Sequence, residues 1–122
     1  MAGTERLICG SASLEEGGAG VRFEVQRHGE PASAFAVRYD GTVHGYLNRC
    51  AHVPIELDWQ EGAFFDITGL YLICATHGAT YLPDTGRCVR GPCKGAALVK
   101  LPILERDGAI YLLEDEFDHG RQ

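Results

Sequence analysis

Two Cys-His pairs are the residues of this chain best suited to chemistry. Cys50 and His52 lie in the stretch CAH, Cys74 and His77 lie in CATHG, and 21 residues separate His52 from Cys74. Such residues can be ordinary core side chains, since cysteine is among the most often buried residue types. They can also bind a tetrahedral zinc ion, or a binuclear iron–sulfur cluster whose two irons have different ligands.

The spacing of the pairs favours the cluster. Zinc fingers usually pair Cys with Cys and His with His, each pair coming from one turn or helix. Here each stretch contains one Cys and one His, which suits two loops that each reach both irons of a cluster with unlike ends. A core role is disfavoured because both pairs fall at predicted strand ends, and a structural zinc site stays the alternative.

Composition sets the broad class of the protein. The 122 residues predict a single domain over 1–122, and the formal charge of −6 argues against a nucleic-acid partner. That charge suits a partner with a basic docking surface, or simply keeps the protein soluble. No secretory signal or membrane-spanning stretch is evident. Five cysteines leave at least one thiol without an intrachain disulfide, which favours the cytoplasm.

Short apolar runs separated by turn residues predict an all-β domain of antiparallel strands. Asp40-Gly41 and Asp107-Gly108 are expected to form hairpin turns, because both dipeptides tolerate positive φ. A short helix is possible near 53–61, the segment 84–92 reads as a turn-rich loop, and 10–20 and 115–122 are predicted to be flexible. The strand candidates are 21–26, the two arms of the hairpin over 34–48, 70–75, 79–83, 98–105 and 109–114.

The CAH and CATHG stretches resemble the C-x-H and C-x-x-H signature of the Rieske iron–sulfur family. The similarity extends to FAVRYDGTVHGYLNRCAH before the first pair, to HGATYLPDTGRCVRGP after the second, and to the closing LVKLPILERDGAIYLLE. The resemblance implies stacked antiparallel sheets with a small inserted cluster-binding subdomain, its loops lying at about 48–93.

The same resemblance implies the ligands of a Rieske-type 2Fe–2S cluster. Cys50 and Cys74 would bind the inner iron, and His52 and His77 would bind the outer, redox-active iron. Gly78 would allow a tight turn beneath the cluster, and Gly91 and Pro92 would form a proline loop that covers it. A hydrogen bond from Tyr81 toward the cluster or a ligand is also implied.

Several positions distinguish this chain from the Rieske proteins of respiratory complexes. Ile55 and Thr76 replace the two cysteines that form a loop disulfide in those proteins, and Ala79 replaces a serine that donates a hydrogen bond. Because hydrogen-bond donors stabilise the more negative reduced cluster, we expect a reduction potential below the respiratory type. The segment 53–73 is also several residues longer than in ferredoxin-type members.

The function that the resemblance implies is that of a ferredoxin, not an enzyme. It would accept electrons from a reductase and pass them to an oxygenase-type acceptor, acting in the cytoplasm as a monomer. Acidic residues would steer the encounter, and an apolar rim would exclude water: Val53, Pro54, Ile55, Ala79 and Pro92. The alternatives are a small Rieske-fold subunit of a nitrite-reductase-type enzyme and a zinc-binding interaction module.

The remaining reactive residues receive structural interpretations. Cys88 and Cys93 flank the predicted proline loop and are interpreted as free thiols, although a disulfide between them is conceivable. Cys9 is interpreted as a buried strand residue, and Trp59 as a packing residue of the cluster subdomain. The three histidines without a partnered spacing, His28, His44 and His119, are interpreted as surface or strand residues.

Overall fold

The computed structural model describes residues 5–27, 29–49, 56–58, 62–74, 78–91 and 95–113. Within these ranges the chain forms ten β-strands and one 3-10 helical turn, Ser11–Ser13. The strands are β1 Glu5–Gly10, β2 Val21–Arg27, β3 Glu30–Tyr39, β4 Thr42–Leu47, β5 Leu72–Ile73, β6 Thr80–Tyr81, β7 Cys88–Arg90, β8 Lys100–Leu101, β9 Ile103–Arg106 and β10 Ala109–Leu113. The all-β prediction is confirmed. In these ranges no helix has the length and apolar character needed to cross a bilayer.

The strands form three antiparallel sheets. Sheet A has the order β1-β10-β9, sheet B the order β2-β3-β4-β8, and sheet C the order β5-β6-β7. Sheet C comes from the middle of the chain, between β4 and β8 of sheet B. It is therefore the inserted subdomain, and Cys74 directly follows its first strand, β5.

Strand β3 is buried on both faces, which explains how sheet B supports the two other sheets. Ala34 and Ala36 pack with residues of sheet A, whereas Phe35 and Val37 belong to the core cluster that includes sheet C. Successive side chains of a strand point to opposite faces, so a continuous apolar run is required here.

Aromatic residues attach sheet C to sheet B. The Phe35 ring stacks on Phe64 with the ring centroids 3.9 Å apart. The hydroxyl of Tyr46 donates a 2.9 Å hydrogen bond to the carbonyl of Pro83. Gly86 lies against the same ring, because a Cβ atom at this position would come within 2.7 Å of Tyr46 Cε1. The subdomain is thus held by close packing on two rings of the central sheet.

The predicted hairpins are confirmed, and two local predictions are wrong. Asp40-Gly41 and Asp107-Gly108 have positive φ at all four residues and join β3 to β4 and β9 to β10. The single strand predicted over 98–105 is interrupted at Pro102, which has no N–H to donate, and the chain passes there from sheet B to sheet A. Part of the predicted 84–92 loop forms β7 instead.

The segment 10–20 has defined contacts with the rest of the fold. Leu14 is buried in a core cluster, and the Glu16 carboxylate accepts hydrogen bonds from the backbone amides of Asp40 and Gly41. The flexibility predicted for this segment stays a prediction. Residues 56–58 are not helical, and most of the possible helix near 53–61, Trp59 and the tail 115–122 lie outside the described residues.

Candidate metal centre

The structure describes one of the four predicted ligands, Cys74. Cys50, His52 and His77 lie outside the described residues, as does Pro92. Cys74 follows β5, is fully buried and carries a thiol rather than a disulfide. It belongs to the core cluster that also contains Ala79, Tyr81 and Cys88. The sulfur atom therefore lies in an apolar setting at the end of a strand.

Two backbone hydrogen bonds close the second Cys-His loop at its base. The amide of Cys74 donates to the carbonyl of Ala79 at 2.8 Å, and the amide of Gly78 donates to the carbonyl of Cys74 at 2.9 Å. Gly78 has φ +75°, a conformation that glycine adopts without steric cost. The hydroxyl of Thr80 donates to the carbonyl of Gly78 at 3.0 Å. The two ends of segment 75–77 are thus held together.

Gly91 lies directly against this base. It has φ +98°, and a Cβ atom at this position would come within 2.9 Å of Ala79 Cα and 3.3 Å of the carbonyl oxygen of Gly78. No other residue type permits this approach without displacing backbone. The structure therefore brings together the two glycines that the sequence assigned to different parts of the site.

A polar network closes the chain around the first Cys-His loop. Oδ1 of Asn48 accepts a 2.8 Å hydrogen bond from the amide of Leu57, and its Nδ2 donates to Asp58 Oδ1 at 3.0 Å. Asp58 Oδ2 accepts from the amide of Gly62 at 3.0 Å and lies 3.8 Å from Arg22 Nε. Both ends of segment 49–56 are held by buried side chains.

Sequence reasoning missed this network. Asn48 and Asp58 are both buried, and buried polar side chains of this kind need hydrogen-bond partners. The sequence did contain a signal for Asn48. It is a polar residue at the end of an apolar strand, two positions before a predicted ligand. Arg22 could not be found in this way, because it comes from the distant strand β2.

Two of the predicted supporting residues have clear positions. Tyr81 is fully buried in β6 and pairs with Leu72 and Cys88 in sheet C, and its hydrogen bond toward the cluster stays a prediction. Ala79 is fully buried. Its predicted place in an exposed apolar rim is therefore wrong, because Gly91 covers it. The other rim residues lie outside the described ranges.

The structure tests the interpretations of three other cysteines and histidines. Cys88 is disulfide-bonded, so its interpretation as a free thiol is wrong; Cys93 lies outside the described residues. Cys9 is in strand β1 as expected but only partly buried, and this burial raises the pKa of its thiol. His44 is a partly buried strand residue; burial, followed by the nearby Lys100 charge, lowers its pKa. His28 and His119 lie outside the described residues.

The described side of the site fits an iron–sulfur cluster. It offers a thiol as a soft sulfur donor, buried from water. Nearby, Gly78 leaves open space beside the second loop, and Gly91 lets the backbone approach that loop closely. Within the described ranges, which include only Cys74 of the predicted ligands, no group of three or more His, Cys, Asp or Glu side chains is arranged to hold a metal ion.

Comparisons with known proteins agree with the geometry. The family model for the Rieske [2Fe-2S] domain matches residues 5–111. A ferredoxin from Sphingomonas yanoikuyae B1 has a similar structure with a TM-score of 0.68 and 22% identity, covering 89% of this chain and 97% of that chain. The ferredoxin of carbazole 1,9a-dioxygenase from Nocardioides aromaticivorans IC177 has a TM-score of 0.69 and 20% identity, covering 89% of this chain and 96% of that chain.

A larger protein contains the same fold as one part of its chain. The terminal oxygenase of carbazole 1,9a-dioxygenase from Nocardioides aromaticivorans IC177 gives a TM-score of 0.69 and 20% identity, covering 93% of this chain and 30% of that chain. No curated protein matches the sequence.

Proposed function

This chain belongs to the Rieske [2Fe-2S] domain family, and from that premise we propose that it is a one-electron carrier. Members of the family bind a Rieske-type 2Fe–2S cluster. In this chain Cys50, His52, Cys74 and His77 would be its ligands, and the site would also include Gly78, Tyr81, Gly91 and Pro92. The cluster, when bound, supplies reversible one-electron chemistry.

The single observation that carries this proposal is the contact between Gly91 and the base of the second Cys-His loop. It joins a buried thiol at Cys74, the tight turn at Gly78 and the start of the predicted proline loop within one small region. A core cysteine would need no such arrangement, whereas a site that must exclude water from a metal needs a close-fitting cover.

The described residues would have different roles in the site. Cys74 would provide a thiolate from a buried position, which requires the metal to offset the cost of desolvating that charge. Gly91 would keep water from the sulfur by lying directly on Ala79. Asn48 and Asp58 would hold the ends of the first loop, so that Cys50 and His52 keep a fixed separation.

The proposed partners are an electron-donating reductase and an oxygenase-type acceptor. The support for the acceptor is that several structures with the same fold are ferredoxins or oxygenases of carbazole 1,9a-dioxygenase systems. We also propose that residues 1–122 form a single domain that acts as a monomer. The cytoplasmic location stays a prediction from the sequence.

The test is electron paramagnetic resonance (EPR) of the dithionite-reduced protein, with iron and acid-labile sulfide analysis of the same sample. We expect a rhombic signal whose average g value lies below that of all-Cys 2Fe–2S proteins. The substitution Cys74→Ser should abolish it. The matched control Cys9→Ser removes a partly buried thiol from sheet A and should leave the signal unchanged.

Two other outcomes would favour the alternatives. A colourless, EPR-silent sample with stoichiometric zinc after anaerobic purification would overturn the electron-transfer proposal in favour of a structural zinc site. Stable co-purification with a large haem- or flavin-containing protein would favour a subunit of an enzyme over a free carrier.

A further inference from the structure

Positive charge is concentrated in one stretch of this acidic chain. Residues 85–104 contain two arginines and two lysines and no acidic residue, although the whole chain has a formal charge of −6. In a chain with a net negative charge, a positive electrostatic potential can only be local. Such a local potential can direct an approaching partner to one face of a protein.

Three exposed arginines flank a single segment of the fold. Arg87 and Arg90 lie at β7, an edge strand of sheet C, and Arg49 follows β4 at the end of its strand. Segment 95–99 runs between them. Arg87 forms a β-bridge with Ala97, and the amide of Leu47 donates a 2.9 Å hydrogen bond to the carbonyl of Val99.

The centre of this surface is apolar. Val89 is 37% exposed and Val99 is 39% exposed, and Ala96 and Ala97 between them in space are also exposed. We name this surface the basic edge: Arg49, Arg87, Arg90, Val89, Val99, Ala96 and Ala97. An apolar centre with charged residues at its rim is the usual composition of a protein–protein interface.

The arginines of the basic edge differ from three others in the fold. Arg22, Arg38 and Arg106 each form an ion pair with a glutamate at 2.5–2.7 Å. The guanidinium groups at the basic edge make no ion pair within the part of the chain that is described. Among the described residues, no carboxylate neutralises their charge.

The basic edge borders the proposed cluster site. Arg90 pairs with Thr80 across sheet C, two residues after Gly78. The next residue, Gly91, lies against Ala79 at the base of the second Cys-His loop. A partner seated on this edge would stand beside that loop.

We propose that the basic edge docks an acidic surface of the protein that exchanges electrons with this chain. This inference rests on the proposed function and deepens it by naming the charge of the partner. It differs from the expectation that acidic residues steer the encounter, because Arg90, the described residue next to Gly91 in the chain, is a cation. Three cations in a chain of −6 favour a protein patch over nucleic acid, whose binding needs a larger basic face.

A binding experiment tests the basic edge without using the cluster. A fluorescein-labelled decaglutamate peptide is titrated with the protein at low salt, and fluorescence anisotropy reports binding. Arg90→Glu should weaken binding about fivefold or more, because it replaces an attraction by a repulsion. Arg106→Glu makes the same change in net charge in sheet A, on the other side of sheet B, and should change binding less than twofold.

Three results of this titration would overturn the proposal: no binding by the wild type, equal loss in both variants, or equally tight binding of a 20-nucleotide single-stranded DNA. The last result would indicate a nucleic-acid surface. None of them depends on whether iron is present, so they are separate from a failure of the proposed function, which the EPR spectrum reports.

A kinetic experiment tests whether the basic edge serves electron transfer. The reduced protein gives one electron to ferricyanide, which becomes ferrocyanide, and stopped-flow absorbance follows the rate. For proteins with unchanged EPR spectra, Arg90→Glu should slow the reaction about fivefold at low salt, and Arg106→Glu should not. Equal rates for the two variants would show that the edge does not border the electron-transfer site.

Discussion

The contact between Gly91 and Ala79 can be tested with a pair of matched substitutions. Gly91 and Gly95 both have φ +98°, so alanine at either position takes a left-handed φ that strains the backbone by about 1–3 kcal/mol. They differ in their surroundings. A Cβ atom at Gly91 would lie 2.9 Å from Ala79 Cα, whereas a Cβ atom at Gly95 would have nothing within 4 Å.

The difference between the two variants therefore isolates the close contact. Forcing an extra carbon into a packed site costs about 1–3 kcal/mol, so Gly91→Ala should be less stable than Gly95→Ala by about that amount. For a domain of this size, 1 kcal/mol shifts the unfolding temperature by about 4 °C. We expect a difference of about 4–12 °C between the variants, both lying below the wild type.

The assay is thermal unfolding of the purified holoprotein, followed by far-UV circular dichroism and by the visible absorption of the cluster. All proteins are compared at one scan rate, because loss of a bound cofactor makes unfolding irreversible and the midpoint dependent on rate. The Gly91→Ala protein should also bleach faster in the presence of an iron chelator. Equal midpoints and equal bleaching for the two variants would refute a covering role for Gly91.

Four further predictions concern single side chains. Ala79→Ser should raise the reduction potential by about 60–130 mV in protein-film voltammetry if the new hydroxyl donates to the cluster, and an unchanged potential would contradict this. Asn48→Ala should lower the free energy of unfolding in urea by about 2–4 kcal/mol, because buried groups lose their partners; a loss below 1 kcal/mol would argue against the network. The Arg38 ion pair lowers the pKa of Glu105 to about 2, so its stabilisation is present above pH 4.5 and lost between pH 4.5 and 2; the stability difference from Glu105→Gln, measured by urea unfolding, should vanish over that window. Alkylation under denaturing, non-reducing conditions should label three of the five cysteines, because Cys88 is disulfide-bonded, and mass spectrometry showing five labels would contradict this.

Features that depend on a few adjacent residues could be predicted from the sequence. The hairpin turns at Asp40-Gly41 and Asp107-Gly108 follow from local backbone preferences, and the positive φ angles bear this out. The interruption of the strand at Pro102 could also have been predicted from the local sequence, since proline has no N–H to donate to a neighbouring strand. The strand at Cys88–Arg90 was missed because Gly86 and Gly91 on either side made the segment read as a loop.

Features that depend on distant residues could not be predicted in this way. The pairing of β1 with β10 joins the two ends of the described chain, and no local pattern specifies it. The same limit applies to the site. Cys74 was predicted from the spacing of the Cys-His pairs and Gly78 from the family resemblance. The approach of Gly91 to Ala79 depends instead on how β6 and β7 pair, which includes an irregularity in register.

The two Cys-His loops are held by different kinds of interaction, and this has a consequence for mutation. Backbone hydrogen bonds close the second loop between Cys74 and Ala79, so substitutions of side chains there leave its base intact unless they add volume. Side chains close the first loop, through Asn48 and Asp58. A buried carboxylate that loses its partners is costly. Replacing a polar residue of this network, even one as far along the chain as Arg22, should therefore loosen the first loop more than the second.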